Sequence, residues 1–534
     1  MRRILPDVKN PFIKKIYQRL RLFIEGRYLS AFFKNNKVGG NITHAKGKVL
    51  VYSVIGSVYN SRHEMLLAHL LQKEGYEVDY VICDGIFEAC EVLTKERLET
   101  VGKKIACERC GNRSKYMLEH AGIQYHTITK QELSKYNLEK KSLEELLYFN
   151  LDGIDFGNII SGVMYRYYKS LNYGSDAKQI ALRYLKSALT SYTYVKALDQ
   201  KQHYRYMFFS HGIYSSWGPI VEYCKLNAKD FVSYDRGKRK ASANFNLNLP
   251  APIWDFTTAW NRYADKELSM QEANKVEEYL AERELQKNDA YAYNFNAKEH
   301  DIDLLKARLG INKDKKVITL FTNLIWDAAN VSRDLAFSSM LECVVKTIAY
   351  YAANPHVHVV VRTHPAEKVL GTNETYKQLI VDSLTPMPSN VTILDASENV
   401  NSFSVLEMTD IGVIHTSTVG LEMAIEGKPA VLISETHYRG KGFTYDISSE
   451  EHYFNTLNEL LNTGSILPDQ VKLSKKYFYM MMFLYQKSMP LQIQEGVFNG
   501  YTAPSFNELE QTEEIVKVIK ALGEKGLQDF VFWD

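Results

Sequence analysis

Strand-like apolar segments alternate with helix-like segments in two separate stretches of this chain. In the first stretch, a buried-type segment over 48–55 is followed by helix-forming residues and by a second apolar segment over 78–83. In the second stretch, between 317 and 433, five such segments alternate with helical patterns. Connections of this kind bring strands side by side in a parallel sheet with helices on its faces. The chain is therefore predicted to be an α/β protein with two doubly wound, Rossmann-like domains.

The length of 534 residues corresponds to two to four domains of ordinary size. A charged, helix-forming segment over 265–310 separates the two α/β stretches, and the domain boundary is placed within it. The predicted organisation is an N-terminal basic amphipathic helix over 1–45, a first Rossmann-like domain over 46–295 that includes a helical insertion, a second Rossmann-like domain over 296–480, and C-terminal helices over 481–534 that pack back on the protein.

The overall charge is nearly balanced, with 65 Lys and Arg against 63 Asp and Glu. The resulting net charge of +2 does not favour nucleic acid as a partner. The mean hydropathy is −0.29, and no apolar run approaches the roughly 18–20 residues that a membrane-spanning helix needs. Charged residues also interrupt the apolar residues of the N-terminus, so no secretory signal is predicted. These features predict a cytoplasmic protein.

Positive charge is concentrated at the N-terminus, where residues 1–40 contain ten Lys or Arg and two acidic residues. Phe12, Ile16, Leu20 and Phe23 fall at helical spacing, and basic residues interleave with them. This pattern predicts a helix that lies on the anionic inner face of the cytoplasmic membrane. The alternative is a terminal helix that packs its apolar stripe on the protein itself.

Four of the six cysteines, Cys83, Cys90, Cys107 and Cys110, lie within 28 positions of each other. The C-x2-C spacing of the last two is typical of a knuckle-like turn that holds a metal ion. In a cytoplasmic protein this set predicts a structural Zn²⁺ site in preference to an Fe–S cluster or disulfides. Four thiolates leave no open position for substrate, so the role of this metal would be structural. No catalytic metal is expected. The alternative is a set of ordinary buried cysteines.

Polar residues follow several strand-like segments of the second stretch, and ligands of open α/β sheets bind beyond the carboxyl ends of the strands. Hydroxyl groups and a glycine ahead of a helix suit a phosphate, to which Arg and His add charge-assisted hydrogen bonds. A carboxylate one helical turn later suits a ribose hydroxyl. The pattern predicts a nucleotide-sugar site. Its candidate residues are Asn323, Asp327, Arg362, His364, Glu367, Thr416, Ser417, Thr418 and Glu422.

Three segments of the second stretch, 362–367, 415–429 and 437–444, resemble bacterial glycosyltransferases of capsule and surface polysaccharide biosynthesis. These are GT-B proteins related to the capsule Kdo transferases, and the resemblance is strongest over 315–450. It implies a GT-B fold in which two Rossmann-like domains face a cleft. The first domain then receives the acceptor, and the second binds the nucleotide-sugar donor.

The resemblance also implies roles for individual residues. His364 and the turn over 417–422 would hold the donor nucleotide. The loop with Tyr438, Arg439, Gly440 and Lys441 would close on the phosphate or sugar of the donor. A His-Pro dipeptide serves bacterial sialyltransferases in the same way, which favours a CMP-activated acid sugar over another nucleotide sugar.

Two residues are candidates for the catalytic base. His211 follows a predicted strand over 206–210, and an imidazole titrates near neutral pH. Asp84 precedes Gly85 at the end of an earlier strand and resembles the Asp-Gly motif that supplies the base in some sialyltransferases. Its neighbour Cys83 favours a structural turn instead.

The predicted function is transfer of a sugar from a nucleotide-activated donor to a capsule or surface polysaccharide or glycolipid acceptor. A teichoic-acid-type glycerophosphotransferase and a GT-B sugar-nucleotide 2-epimerase are the alternatives. A non-enzymatic scaffold is disfavoured because the polar groups cluster at strand ends. No Asp-x-Asp motif follows a strand convincingly, which disfavours a metal-dependent GT-A enzyme.

Overall fold

The structure is a computed structural model that describes residues 45–56, 58–240, 242–285, 297–330, 333–464 and 466–488, together with residues 514, 517 and 518. The predicted basic helix over 1–45 and its membrane contact lie outside these residues. No helix in this part of the chain combines the length and the apolar character that crossing a bilayer requires.

The first domain is built on a seven-stranded sheet. Its strands are β1 (Lys48–Ser53), β2 (Glu77–Ile82), β3 (Tyr125–Thr127), β6 (Tyr206–Ser210), β7 (Asp230–Arg236), β8 (Ser242–Leu247) and β15 (Lys487–Ser488), and a separate hairpin contains β4 (Asn150–Leu151) and β5 (Ile154–Asp155). The order across the sheet is β15-β8-β7-β6-β1-β2-β3, and the five strands from β7 to β3 are parallel. β1 and β6 are central and almost wholly buried, which is why both are continuous apolar runs.

Helices cover the faces of this sheet. They are α1 (Val58–Lys73), α2 (Lys95–Val101), α3 (Lys103–Ala121), α4 (Leu143–Leu147), α5 (Phe156–Tyr168), α6 (Ala177–Gln202) and α7 (Gly218–Leu226), with 3₁₀ turns at Ser134–Tyr136 and Leu138–Lys140. The largest apolar core cluster of this domain includes Phe156, Leu185 and Phe209, from α5, α6 and β6. The mostly helical segment predicted between about 130 and 205 is confirmed.

The second domain contains six parallel strands. They are β9 (Lys316–Phe321), β10 (Val357–Arg362), β11 (Val391–Leu394), β12 (Ile411–Ile414), β13 (Ala430–Leu432) and β14 (Tyr445–Asp446), in the order β11-β10-β9-β12-β13-β14. Every residue of β10 is buried, as expected for a parallel strand with helices on both sides. The parallel strands of both sheets, with helices between them, confirm the predicted α/β fold class.

Helices before, within and after these strands complete the second domain. They are α8 (Thr257–Tyr263), α9 (Met270–Glu284), α10 (Ile302–Arg308), α11 (Met340–Tyr351), α12 (Ala366–Leu370), α13 (Tyr376–Ser383), α14 (Ser402–Met408), α15 (Val419–Ile425), α16 (Glu450–Thr463) and α17 (Pro468–Tyr479), with a 3₁₀ turn at Ala328–Asn330 and a π-helical turn at Met480–Tyr485.

One predicted helix is shorter than expected. The pattern over 333–351 predicts a single helix, but α11 begins at Met340, where Ser339 accepts a hydrogen bond from the Glu342 backbone N–H at 3.1 Å. The preceding residues pair with the chain beyond β13 instead, because Asp334 forms a bridge with Ser434 and the Ala336 N–H donates to the Ile433 carbonyl.

The chain crosses between the domains away from the predicted boundary at 295/296. Trp260 and Tyr279, on α8 and α9, pack in the second-domain core, and the Trp260 ring lies 5.3 Å from that of Tyr477. At the other end, β15 returns to the first sheet beside β8, and Val518 is buried in the first-domain core. Tertiary packing therefore assigns residues to domains in a different way from the charge pattern along the chain.

Candidate functional site

A cavity of about 560 Å³ lies between the two domains, at the carboxyl ends of both parallel sheets. From the first domain, His211 follows β6, and Asp235 lies near the end of β7. From the second domain, residues that follow β9, β10 and β12 line the opposite wall. The predicted residues that line this cavity are His211, Asn323, Asp327, Arg362, His364, Thr416, Ser417, Thr418 and Glu422.

The cavity contains more cationic than anionic side chains. Arg166, Lys238, Arg283, Arg333 and Arg362 line it, against the three carboxylates of Asp235, Asp327 and Glu422. The cations come from both domains, so the excess positive charge faces a common space. Such a wall attracts a phosphate or carboxylate ligand, because positive side chains in a cleft raise the local concentration of anions.

Arg362 is occupied by the protein itself. Its guanidinium donates to the carbonyls of Asp395 at 3.1 Å and Val400 at 3.0 Å, and its Nε donates to the Ser402 hydroxyl at 3.3 Å. Burial lowers the pKa of Arg362 to about 10. The geometry therefore makes Arg362 an anchor for the loop between β11 and α14, and its charge still contributes to the cavity.

His364 lies in the cavity wall as a neutral imidazole. Its Nδ1 accepts a hydrogen bond from the Ala366 N–H at 3.1 Å, so the ring proton is carried by Nε2. Burial, together with the charges of Arg362 and Lys238, lowers the pKa of His364 to about 4. A neutral imidazole with a protonated Nε2 can donate a hydrogen bond to a phosphate oxygen.

Glu422 does not present an isolated carboxylate to the cavity. Its Oε1 accepts a hydrogen bond from Arg283, which reaches it from α9, and the Arg283 guanidinium lies 6.0 Å from the Phe403 ring. All three side chains line the cavity. A planar ring beside this ion pair forms a surface on which a nucleobase could stack.

The hydroxyl run Thr416–Ser417–Thr418, directly before α15, is held by contacts on several sides. The Thr416 hydroxyl donates to Asn330 at 2.7 Å, and the Thr418 hydroxyl accepts from the Lys238 ammonium at 2.8 Å. Ser417 accepts from the Val419 N–H at 3.3 Å through its side chain, and its carbonyl accepts from the Tyr438 hydroxyl. These contacts fix the turn without a ligand.

A buried chain of side chains supports the cavity floor at Asn323. The Tyr376 hydroxyl donates to the Asn323 amide oxygen at 3.0 Å, and the Asn323 amide nitrogen lies 2.9 Å from His415 Nδ1. His415 Nε2 lies 2.9 Å from the Asp334 carboxylate. His415 therefore links the floor to the segment that carries Arg333, next to Asp334.

Six of the predicted residues lie outside the cavity lining. The side chain of Glu367 is buried behind the wall, and burial raises its pKa to about 7. Tyr438 is wholly buried, and Lys441 donates to the Thr257 hydroxyl at 2.9 Å. Asp84 is half-exposed and forms an ion pair with Lys115 at 2.6 Å. The remaining two are Arg439, which donates to the Leu432 and Ile447 carbonyls, and Gly440, whose N–H donates to Asp446.

The implied closing loop is therefore a packed structural loop, and the residues just before it reach the cavity instead. Thr436 and His437 line the cavity. His437 is fixed there because its Nδ1 lies 2.9 Å from the Tyr477 hydroxyl, which also donates to the His437 carbonyl.

His211 is an unusual cavity residue in two respects. Its φ of +66° lies in the left-handed region, which a residue with a side chain seldom adopts. Burial and the charge of Arg166 lower its pKa to about 3, so the imidazole is neutral at physiological pH. Asp235, beyond the end of β6 on the neighbouring strand, shows the opposite shift, because burial raises the pKa of this carboxyl to about 6.

The four clustered cysteines lie in α3 and in the loop that follows β2 of the first domain. Cys107 and Cys110 lie in α3, so the predicted knuckle-like turn is wrong, and the two side chains are separated by less than one helical turn. Cys110 Sγ accepts from the Gly56 N–H at 3.1 Å, and burial raises the pKa of Cys83 to about 11. Within the described residues, no group of three or more His, Cys, Asp or Glu side chains is placed to hold a metal ion. The zinc site stays a prediction.

Sequence reasoning missed five charged residues of the cavity: Arg166, Lys238, Arg283, Arg333 and Asp235. Arg166 and Arg283 lie within helices, whereas Lys238 and Arg333 lie in irregular segments between strands. Isolated basic residues on helices have no sequence signature. Asp235 was detectable, because it lies near the end of a strand that neighbours the one before His211.

The chain was compared with known families and solved structures. Residues 259–461 match the family model Capsule_synth, described as "Capsule polysaccharide biosynthesis protein". No curated protein matches the chain.

Three solved structures illustrate the remote similarities. The beta Kdo 2,4 transferase KpsC of Thermosulfurimonas dismutans is 13% identical, with 60% of this chain and 88% of that chain covered and a TM-score of 0.35. The beta Kdo 2,7 transferase KpsC of the same organism is 16% identical, with 61% and 89% covered and a TM-score of 0.34. The UDP-GlcNAc 2-epimerase of Neisseria meningitidis, bound to UDP-GlcNAc, is 10% identical, with 80% and 94% covered and a TM-score of 0.24.

Over residues 259–461, the family match confirms the resemblance to capsule polysaccharide biosynthesis proteins that the sequence motifs indicated.

Proposed function

We propose that this protein transfers a sugar from a nucleotide-activated donor to a capsule or surface-glycan acceptor. The observation that carries this proposal is the cationic cavity at the carboxyl ends of both parallel sheets, with the second-domain wall inside the segment that matches the capsule biosynthesis family. A CMP-activated acid sugar or a nucleoside-diphosphate sugar is the donor class, since both bring at least one phosphate to this wall.

The chemistry of transfer fits the charges of the cavity. The leaving group is a nucleotide phosphate, so negative charge develops on it as the bond to the sugar breaks. Lys238, Arg333 and the protonated Nε2 of His364 can stabilise that charge, which favours the transition state more than the ground state. Because these side chains supply positive charge without a divalent ion, we expect turnover to persist after treatment with a chelator.

The acceptor hydroxyl needs a group that can take its proton or orient it. Of the two candidate bases that line the cavity from the first domain, Asp235 is better than His211, because its pKa of about 6 is closer to neutral pH than the pKa of about 3 at His211. Asp235 therefore takes the role of base in this proposal in place of His211. Asp84 has no role, since it is ion-paired outside the cavity.

A thermal-shift screen followed by product analysis tests the function. CMP-, UDP- and GDP-sugars and CDP-glycerol are each added to the full chain, because a ligand that binds the native state raises its melting temperature. Stabilising compounds are then incubated with glycan acceptors. Appearance of an extended glycan supports the proposal. Epimerisation of a UDP-sugar without acceptor supports the epimerase alternative, and transfer from CDP-glycerol supports the glycerophosphotransferase. If none of the donors raises the melting temperature, the proposal is contradicted.

A further inference from the structure

The first-domain wall of the cavity contains two buried polar atoms that have no hydrogen-bond partner among the described residues. They are Nε of Arg166, on α5, and Nδ1 of His211, directly after β6. Both residues line the cavity. Burying a polar atom without a partner is unfavourable, so two such atoms in one corner indicate a group that is supplied from outside the chain.

Tyr214 brings these two residues into one corner. The His211 and Tyr214 rings stack with their centroids 4.5 Å apart. Arg166 donates through Nη1 to the Tyr214 hydroxyl at 3.1 Å, and its guanidinium lies 5.2 Å from the centre of the same ring. The Arg166 side chain is therefore oriented by one contact, while its Nε remains for another.

The corner is also held rigidly from behind. The buried carboxylate of Glu91 accepts hydrogen bonds from the Ser216 N–H at 3.0 Å and from the hydroxyls of Ser215 and Ser216 at 3.1 and 2.7 Å. These serines follow Tyr214 directly, and His211 adopts the left-handed backbone conformation noted above. Strained residues that the surrounding structure fixes in place cluster at ligand sites.

We propose that the corner formed by Arg166, His211 and Tyr214 binds a carboxylate or phosphate group of the acceptor. Arg166 donates Nε–H and His211 donates Nδ1–H to the oxygens of that group. The assignment to the acceptor rests on the proposed function, in which the motif residues of the second domain receive the nucleotide and the first domain receives the acceptor. The acceptor is thus an acidic glycan or a phosphate-bearing glycolipid.

The charges around the corner suit an anion of this kind. Arg166 and Arg333 both act on the half-buried carboxylate of Asp327 in the same wall. The Glu91 carboxylate also acts on Arg166 from behind the corner, so the excess of positive charge belongs to the cavity as a whole, in which five cationic side chains face three carboxylates. The neutral imidazole of His211 contributes a hydrogen bond without adding to the repulsion between cations. A single anionic group can accept hydrogen bonds from both orphaned atoms.

Inorganic phosphate is the probe for the first test. The melting temperature of the full chain is measured against phosphate concentration at saturating CMP, which occupies the proposed donor site, with sodium chloride matched for ionic strength, in wild type, Arg166→Gln and Arg109→Gln. Arg109 is an exposed residue of α3 and gives the same substitution outside the cavity. We expect phosphate affinity to fall roughly 10-fold or more in Arg166→Gln and to stay at the wild-type value in Arg109→Gln. Equal phosphate affinity in all three proteins, or none in wild type, overturns the proposal.

Two further experiments test whether His211 Nδ1 contacts the anion and whether the anion belongs to the acceptor or to the donor. The amide nitrogen of Asn can replace Nδ1 of histidine and that of Gln cannot, so phosphate affinity should be kept in His211→Asn and lost in His211→Gln. CMP and UDP should bind Arg166→Gln as tightly as wild type; if they weaken as much as phosphate does, the corner serves the donor phosphate and the proposal is wrong. Failure of every nucleotide sugar to bind wild type would refute the proposed function, whereas the phosphate titration decides the anion corner by itself.

Discussion

The ammonium group of Lys238 donates a hydrogen bond to the hydroxyl of Thr418 at 2.8 Å and joins the two domains across the cavity. Lys238 lies in the connection between β7 and β8, and Thr418 immediately precedes α15. The same ammonium lies 5.5 Å from the centre of the Trp254 ring. This contact places a cation of the first domain against the hydroxyl run of the second, where a donor phosphate is proposed to bind.

Two variants, Lys238→Gln and Thr418→Val, separate the effect of the Lys238 charge from that of its hydrogen bond to Thr418. In Lys238→Gln we expect the affinity for CMP and UDP to fall roughly 10-fold or more, since a charge-assisted contact to phosphate is lost. Thr418→Val keeps the cation and should weaken the nucleotides less. Lys225→Gln, which removes an exposed ion pair with Glu222, is the control. Isothermal titration measures each affinity, and a Lys238→Gln protein with wild-type affinity would exclude this contact.

His364→Ala should nearly abolish transfer while the fold stays intact. The imidazole donates through Nε2 to the departing phosphate in the proposed reaction, and loss of one such donor typically lowers the rate by roughly 10²–10³. His364→Gln places an amide near the position of Nε2 and should recover part of the rate. Initial rates under saturating donor, with circular dichroism as the check on folding, make the comparison. A folded His364→Ala enzyme with the wild-type rate would contradict the assignment.

Glu64 predicts a pH dependence of stability in the first domain. Its carboxyl is buried beside the Ser53 and Tyr80 hydroxyls, and burial raises its pKa to about 7. The folded protein therefore holds this proton more tightly than the unfolded chain, whose Glu titrates near 4.5. The stability contribution of the neutral carboxyl is complete below about pH 4.5 and is lost as the pH rises to about 7.

Glu64→Gln keeps a neutral side chain at every pH. Relative to this variant, wild type should lose on the order of 3 kcal/mol of unfolding free energy between pH 4.5 and pH 7.5. Urea denaturation at a series of pH values measures the difference, in which the other titrating groups cancel. A difference that does not change with pH would show that Glu64 titrates normally in the folded protein.

The cysteine cluster predicts about one zinc ion per chain, detectable by elemental analysis of protein purified without chelator. Cys107→Ser or Cys110→Ser should then lower both the zinc content and the melting temperature, because metal binding contributes to folding stability. Cys343→Ser is the control in the second domain, far from the cluster along the chain. Metal-free wild-type protein would remove the hypothesis and leave the four clustered cysteines as free thiols.

Several strands could be predicted to the residue from the sequence. β6 and β10 begin and end where their apolar runs do, since central parallel strands are buried on both faces, and the short edge strand β11 also has its predicted bounds. The start of α11 could not be predicted in this way. Residues 333–339 have a helical pattern, but pairing of Asp334 with Ser434 draws them to the end of the second sheet.

His211 and His364 were found from the sequence because each follows a strand, and strand ends of a parallel sheet meet at one edge. The roles of their neighbours depended on contacts that the sequence does not contain. Arg362 is anchored by carbonyls more than thirty positions away, and the loop from Tyr438 to Lys441 packs inward.

The sequence by itself determined the alternation of strands and helices, and with it the fold class and the sheet edge at which the candidate site residues lie. The burial of one strand or helix is reflected in the spacing of its own apolar residues, so this pattern can be recognised in the local sequence. Only the tertiary structure decided which charges share the cavity, because Arg166 and Arg333 belong to different domains and meet near Asp327 only after both sheets have formed. Electrostatic interaction depends on distance in space, and that distance is set by packing rather than by position along the chain.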